Sequence, residues 1–180
     1  MNRVIIFLFL IFSCNQNPKT TLQGTAFGTS YSIHFFSENQ TDYSIQLDSI
    51  FDLINNSMST YIDTSIISRI NNNESVKVDN HFINVFNTSK KVFEKTKGKF
   101  DPSVGVLVNF WGFGPKYVKK SIDSLELINL KKLVGFEKFK IDNSNFIERP
   151  KNSFLDFNAI AKGYTVDLIS HFFDTNNINN

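Results

Sequence analysis

GKFDPSVGVLVNFWGFGP, residues 98–115, is the stretch whose reading decides what kind of chain this is. It gathers four of the 8 glycines, two of the 4 prolines and the only tryptophan. Glycine admits positive φ and lets a ligand approach the backbone closely, while proline fixes φ and removes a donor. Such a cluster specifies a shaped surface, which a plain buried strand or helix does not need. Phe100-Asp101-Pro102 sets an acid directly before a proline, which biases Asp101 away from the helical region and fixes its direction. Trp111 to Pro115 alternates aromatics with glycine, so both rings can lie on one side of an extended or turning chain. A Gly/Pro turn plugged by two hydrophobic rings satisfies the same pattern without a ligand.

Working outward, Phe82, Val85, Phe86, Ser89 and Phe93 fall at helical spacing, with Lys90, Lys91, Lys95 and Lys97 toward the C-terminal end and Gly98 as the expected C-cap. Downstream, Ser121 or Asp123 is placed to cap a helix containing Leu125, Ile128 and Leu133 and ending at Gly135. Phe139 and Ile141 suggest a strand. Ser153 to Phe157 suggests another, which runs into Ala159-Ile-Ala-Lys-Gly163 and a helix using Tyr164, Leu168 and Phe172. On the N-terminal side, Tyr31, Ile33 and Phe35 alternate with Ser30, Ser32 and His34, the period of a half-buried strand. Tyr43, Leu47, Ile50, Phe51, Ile54 and Met58 mark a helix that Thr41 or Asp42 can cap. A short helix with Ile66, Ile67 and Ile70 follows, capped by Asp63 or Thr64 and stopped by Asn71 to Asn73. Strands and helices mix without regular βαβ alternation, which predicts an α+β fold.

At 180 residues, 41% hydrophobic and 20% charged, the chain can bury one sizeable core. Its 19 basic and 17 acidic side chains are spread along the sequence, without the basic stripe that nucleic acid requires. Arg3 followed by the apolar run Val4 to Phe12 has the form of an export signal and is too short to span a bilayer. Cys14 is the only cysteine, so no internal disulfide can form. The segment Ile11-Phe12-Ser13-Cys14 resembles a bacterial lipobox, with Ile11 and Phe12 looser than the usual pattern. The expected organisation is a lipoprotein signal peptide over 1–13, a tether over 14–21 beginning at a diacylated Cys14, and a folded domain over 22–180. A cleaved secretory peptide with an incidental Cys14 is the alternative.

Three further clusters accompany the opening one. Gly24 to Ser30 could bring backbone amides against an anion or a ring, or form a glycine-bearing bulge in a strand. Met58-Ser-Thr-Tyr61 presents a tyrosine at a helix-helix turn, able to stack on a heteroaromatic ring or simply to cover the core. Asp156 to Gly163 places a carboxylate at a strand end and Lys162 near a helix start, where free amides attract phosphate; an Asp156–Lys162 structural pair is the other reading. His34, His81 and His171 lie outside all four clusters.

In order and spacing the four clusters together resemble the ApbE family of bacterial FAD:protein FMN transferases. Gly24 to Ile33 looks like its N-terminal Met-Gly-Thr strand, and Met58 to Asn71 like its Ser-Thr-Tyr…Ser-Arg-Xaa-Asn segment. Gly98 to Pro115 is similar to its Gly-Xaa-Phe-Asp…Trp-Gly-Phe-Gly segment, and Asp156 to Asp167 to its Asp-Xaa-Xaa-Ala-Ile-Ala-Lys-Gly…Asp segment. The resemblance covers roughly residues 22–175 and implies a mixed, largely antiparallel sheet packed with helices, incomplete at the C-terminus. It implies Mg²⁺-dependent transfer of FMN from FAD to a threonine hydroxyl of a target flavoprotein, with release of AMP. It also implies an exported, membrane-anchored protein facing the periplasm. Carried over by position, Phe27, Tyr61, Lys99, Phe100, Asp101, Asp156 and Lys162 contact FAD, and Ala159 offers its carbonyl to Mg²⁺. Phe27 stands where the family has methionine, and Lys99 where it often has alanine. The family's later motifs, including its His-Xaa-Xaa-Asp-Pro-Xaa-Thr-Gly sequence and the side-chain Mg²⁺ ligands, do not occur in these 180 residues. The catalytic residues are therefore expected outside this chain, and a truncated, non-catalytic flavin-binding lipoprotein is the rival expectation. So is an unrelated exported lipoprotein whose aromatic loop binds another ligand.

Overall fold

A computed structural model of the chain describes residues 18–38, 41–115 and 124–178. The expected signal peptide, Cys14, Ser121 and Asp123 lie outside them. The architecture is α+β, made of helices and two small antiparallel sheets.

The alternating segment around Tyr31 pairs with the residues before it. β1 (Lys19–Ala26) and β2 (Thr29–Phe36) form an antiparallel hairpin, with Leu22 opposite Ile33 and Gly24 opposite Tyr31. β1 begins inside the stretch expected as tether, because the ladder extends to Lys19 opposite Phe36. The Gly24 to Ser30 cluster is thus a hairpin turn rather than a bulge. Its two loop residues, Phe27 and Gly28, both take positive φ, 52° and 71°. Two-residue loops of this kind match the right-handed strand twist and favour Asn-Gly. Gly28 adopts the conformation freely, whereas a bulky aromatic at Phe27 is a strained exception.

α1 (Ser44–Met58) follows, with Asp42 Oδ1 accepting the Ser44 N–H at 2.9 Å one residue ahead of the N-cap. α2 (Ile66–Asn71) is capped by Ser65, not by Asp63 or Thr64; the Ser65 hydroxyl oxygen accepts the Ser68 N–H at 3.1 Å. α3 (Asn80–Lys95) is capped by Asp79, whose carboxylate accepts from Phe82 N at 2.7 Å and from Ser57 Oγ at 2.9 Å. At its C-terminus Thr96 is the cap, Lys97 takes the left-handed conformation at φ 54°, and the Gly98 N–H closes on Phe93 O at 2.9 Å. α4 (Gly105–Phe110) and α5 (Ser124–Lys131) flank the Trp111 to Pro115 turn. A short 3₁₀ turn (Phe136–Lys138) leads to the two-residue strands β3 (Lys140–Ile141) and β4 (Ile147–Glu148), and α6 (Asn158–Thr175) follows.

The core has two parts, both reached by α1. Ile54 and Met58 pack with Ile67, Ile70, Phe82, Val85, Phe86, Phe136, Leu155 and Phe157, while Leu47 and Phe51 pack with Phe35 and Phe173. Phe27 touches both parts and meets Phe51 edge-on at 5.7 Å between ring centres. The hairpin turn is thereby anchored over the seam of the core.

Ser153 to Phe157, expected as a strand, forms only a single parallel bridge between Val104 and Phe154. The reason lies one residue further on. Leu155 N–H is accepted by Asn71 Oδ1 at 2.8 Å, and Leu155 O accepts from Asn71 Nδ2 at 2.9 Å, so a side chain takes the place of a neighbouring strand. Arg149 reinforces this join by donating to Ser153 O at 2.8 Å, to Asn73 Oδ1 at 3.1 Å and to Ile70 O. Burial pushes its guanidinium below the usual value.

Candidate functional site

Three of the residues singled out in the sequence meet in one cavity. Phe27 from the hairpin turn, Tyr61 from the turn after α1 and Lys162 from the first turns of α6 line a space of about 560 Å³, together with Asn55, Met58, Ser59, Ile62 and Asn158. That volume lies within the range of small-molecule sites. Apolar walls with a few polar groups and one cation suit a ring system that carries an anionic tail.

The Tyr61 wall is held by serine hydroxyls. Ser65 Oγ and Ser68 Oγ both donate to the Ser59 carbonyl, at 2.6 and 3.1 Å, and the Tyr61 N–H reaches Ser59 Oγ at 3.3 Å. The ring itself is 65% exposed, so the turn presents it instead of burying it. Its role as a core cover is therefore excluded by geometry. Tyr61 also borders a smaller cavity of about 150 Å³ with Thr60, Asp63, Asn71 and Pro115, which brings the Trp111 to Pro115 turn alongside the same tyrosine. The Thr60 hydroxyl is buried there without a protein partner.

Lys99, Phe100, Asp101 and Asp156 stand outside the larger cavity. Asp101 and Asp156 belong to two segments fastened side by side. Asp156 N–H donates to Pro102 O at 2.8 Å, and the Val104–Phe154 bridge continues the join. Phe154 crosses this bridge directly over Gly105, where an added Cβ would overlap its ring and lie 2.9 Å from its carbonyl oxygen. Asp101 Oδ1 accepts from Ser103 N at 2.8 Å and from Ser103 Oγ at 2.6 Å, the rigid turn that Pro102 predicts. Ser103 Oγ in turn accepts the Gly135 N–H at 2.7 Å. Lys99 is exposed and Phe100 half-buried, its N–H bonded to Thr96 Oγ1 at 3.1 Å.

Asp156 is connected to the cavity through Asn158, whose N–H donates to Asp156 Oδ1 at 2.8 Å. Burial raises the Asp156 carboxyl above the ordinary carboxylate value, opposed by that Asn158 hydrogen bond and by the attraction of Lys162. No ion pair closes between Asp156 and Lys162; among the described residues the salt bridge is Arg69–Glu74, at 2.8 Å. Lys162 lines the cavity without being committed to an ion pair.

Ala159 faces elsewhere. It lines a separate space of about 270 Å³ with Thr88, Gly163, Tyr164 and Asp167. Among the described residues no group of three or more His, Cys, Asp or Glu side chains is gathered to hold a metal ion. Mg²⁺ requires a near-octahedral set of oxygens, and one carbonyl with one nearby carboxylate does not supply it. The histidines are elsewhere too: His34 bonds Thr21 and Ser32 on the hairpin, and His81 Nδ1 lies 3.1 Å from Tyr164 OH.

The ApbE family model matches residues 27–180, nearly all of the folded part. The chain belongs to the ApbE family. It is 27% identical over 182 residues to the FAD:protein FMN transferase of Vibrio cholerae, covering 96% of this chain and 54% of that protein. With the Haemophilus influenzae FAD:protein FMN transferase it shares 27% identity over 183 residues, covering 93% and 53%. The solved structure of the H257G mutant of the Vibrio cholerae flavin transferase ApbE superposes with a TM-score of 0.83 at 28% identity, over 91% of this chain and 59% of that one. The chain thus spans about half the length of the curated relatives it matches.

Several residues that line the larger cavity or brace its walls were not singled out in the sequence. Asn55, Ile62 and Asn158 carry no local signature. Ser65 stood one residue beyond the caps expected for α2, and Asp79 was legible as a cap, since it directly precedes the helical spacing of Phe82 and Val85.

Proposed function

We propose that the chain is the FAD-holding part of a flavin transferase, which moves FMN from FAD to a threonine hydroxyl of a target flavoprotein. The observation that carries this reading is the convergence of Phe27, Tyr61 and Lys162 on one ligand-sized cavity. Tyr61 offers a face for the isoalloxazine or adenine ring, and Phe27 an apolar edge beside it. Lys162 and the N-terminal end of α6, where Asn158 also lines the cavity, supply positive potential for the pyrophosphate. Lys99, Phe100, Asp101 and Asp156 form the adjoining wall of the dinucleotide site.

In the transfer, the threonine oxygen bonds to the phosphorus of the FMN half and the phosphoanhydride bond to AMP breaks. AMP departs with the bridging oxygen, and the hydroxyl proton is released. This chain's part is to bind and orient FAD so that the phosphorus faces the acceptor, which is where positioning lowers the barrier. Magnesium is part of the proposed activity on the strength of the family resemblance. The described residues do not assemble its site. The same resemblance supports an exported protein, lipid-anchored through Cys14 and facing the periplasm, testable by loss of fatty-acid labelling in Cys14→Ser.

FAD titration of the 180-residue chain, followed by flavin fluorescence, tests the binding reading. Tyr61→Ala is expected to weaken binding roughly two- to tenfold, the worth of one aromatic stack. No fluorescence change with the unmutated chain sinks the proposal. For transfer, incubation with FAD, Mg²⁺ and a threonine-bearing flavoprotein is read by mass spectrometry, in the chain alone and extended by the second half of a full-length relative. The extended protein must add FMN to the threonine and release AMP.

A further inference from the structure

α2 is joined to the Asp156 segment by side-chain hydrogen bonds to its backbone. Asn71, the last residue of α2, is 6% exposed and spends its whole amide on one residue 84 positions away, accepting Leu155 N–H and donating to Leu155 O. Leu155 is fully buried, so neither backbone group can turn to water instead. Its neighbour Asp156 has its own N–H fixed to Pro102 O and its carboxylate bonded to Asn158 N–H. Asn71 therefore grips the residue immediately before the carboxylate, while Arg149 holds Ser153 two residues earlier. The other end of the same short helix carries Ser65 and Ser68, which tie down the Tyr61 turn through the Ser59 carbonyl. One helix of six residues thus sets the separation between the tyrosine wall and the acid wall.

We propose that Asn71 is a positioning residue for Asp156, holding its carboxylate at the dinucleotide site through the paired bonds to Leu155. The inference rests on the reading of Asp156 as an FAD contact. A merely structural asparagine would stabilise the fold without acting through Asp156, and the two roles separate in a double-mutant cycle. Residues that act in one network couple, whereas independent ones add.

The test compares FAD dissociation constants for the 180-residue chain, Asn71→Ala, Asp156→Asn and the double variant, at a temperature where all are folded. Asn71→Ala is expected to weaken FAD roughly tenfold in the unmutated background and less than about twofold in the Asp156→Asn background, a coupling within the range for shared networks. Equal losses in both backgrounds overturn the proposal, as does an Asn71→Ala variant with unchanged affinity. If Asn71→Ala does not fold, Asn71→Leu carries the same comparison, since it fills the volume without adding a charge and loses both bonds to Leu155. A second measurement needs no flavin. The Asp156 carboxyl, raised by burial, is followed by carbon NMR across acid pH. Loosening its segment admits water, so its titration should move down toward the ordinary carboxylate value in Asn71→Ala; an unmoved titration overturns the proposal. If the unmutated chain binds no FAD, the functional reading fails, and the NMR titration alone decides whether Asn71 positions the acid.

Discussion

Gly105→Ala perturbs the join between the two acid-bearing segments with a single methyl group. Gly105 opens α4 directly after Val104, which bridges to Phe154. A Cβ built there overlaps the Phe154 ring and sits 2.9 Å from the Phe154 carbonyl oxygen and 3.2 Å from Cγ. The ring could rotate, but the carbonyl belongs to the bridged backbone and cannot yield without parting the chains. Overpacking of this kind costs about 1–3 kcal/mol, and a fixed backbone atom puts the cost near the upper end. The lower chain entropy of alanine returns roughly 0.4–1 kcal/mol. A net loss of about 2 kcal/mol follows, which for a chain of this size lowers the unfolding midpoint by about 4–8 °C. Calorimetry or circular dichroism reads that shift. FAD titration well below the midpoint, where the chain stays folded, reads geometry alone. Because Phe154 precedes Asp156 by two residues and Val104 follows Asp101 by three, affinity should fall there as well. A Gly105→Ala chain with an unchanged midpoint and unchanged FAD affinity refutes the reasoning.

Phe27→Asn converts the hairpin loop to Asn-Gly, relieving roughly 1 kcal/mol of left-handed strain but losing an aromatic contact with Phe51 of similar size and about 1–2 kcal/mol of half-buried apolar surface against both parts of the core. The net loss of about 1–2 kcal/mol should lower the thermal midpoint by roughly 2–8 °C. FAD affinity, read well below the midpoint, should drop as well, and intact affinity would contradict a binding role for Phe27. Arg149→Met removes the donors to Ser153 O and Ile70 O and should cost about 2–3 kcal/mol in urea unfolding, as expected for charged hydrogen bonds; a loss below about 0.5 kcal/mol would show the clamp to be idle. Asp156→Asn tests the buried acid by pH. A carboxyl whose folded pKa is raised above its unfolded value binds more protons folded than unfolded, so its contribution is greatest below the unfolded pKa and is lost as pH rises through the folded pKa. Relative to the parent, the asparagine variant should therefore gain stability as pH rises from the ordinary carboxylate range, about pH 4, through the raised folded value. A stability difference that does not change with pH argues against the burial effect.

How far the sequence could be read depended on whether each feature is local. Period-two alternation around Tyr31 and helical spacing from Tyr43 to Met58 record which face is buried, and both survive in β2 and α1. The turns on either side of α4 within residues 98–115 were legible because glycine and proline act on their own backbone, whereas α4 (Gly105–Phe110) itself was not. Ser153 to Phe157 was misread for the opposite reason. Its apolar residues suit a strand, but the partner of Leu155 is the side chain of Asn71, and no pattern within the segment can announce it. The cavity divides in the same way. Tyr61 and Lys162 stood out by type and place, whereas Asn55 and Asn158 became members only when α1 and α6 packed together.

Phe27 and Asp156 are two positions where the chain departs from what stability alone would select. Asparagine fits a positive φ better than phenylalanine, and a neutral side chain fits the surroundings of Asp156 better than a carboxylate. Each choice costs the fold something, and each lies where the proposed dinucleotide would run, one on the wall of the cavity and one beside it. The neighbours that hold them are satisfied with unusual care: Phe27 is pinned on Phe51, and Asp156 is fixed between Pro102, Asn158 and the Asn71-bound Leu155. A local cost that its surroundings hold in place is what a ligand site requires and what a passive surface would relax. The pair of variants Phe27→Asn and Asp156→Asn therefore asks one question from two sides. If both weaken FAD at a temperature where both are folded, and Asp156→Asn is as stable as the parent or more so at neutral pH, these two positions serve binding.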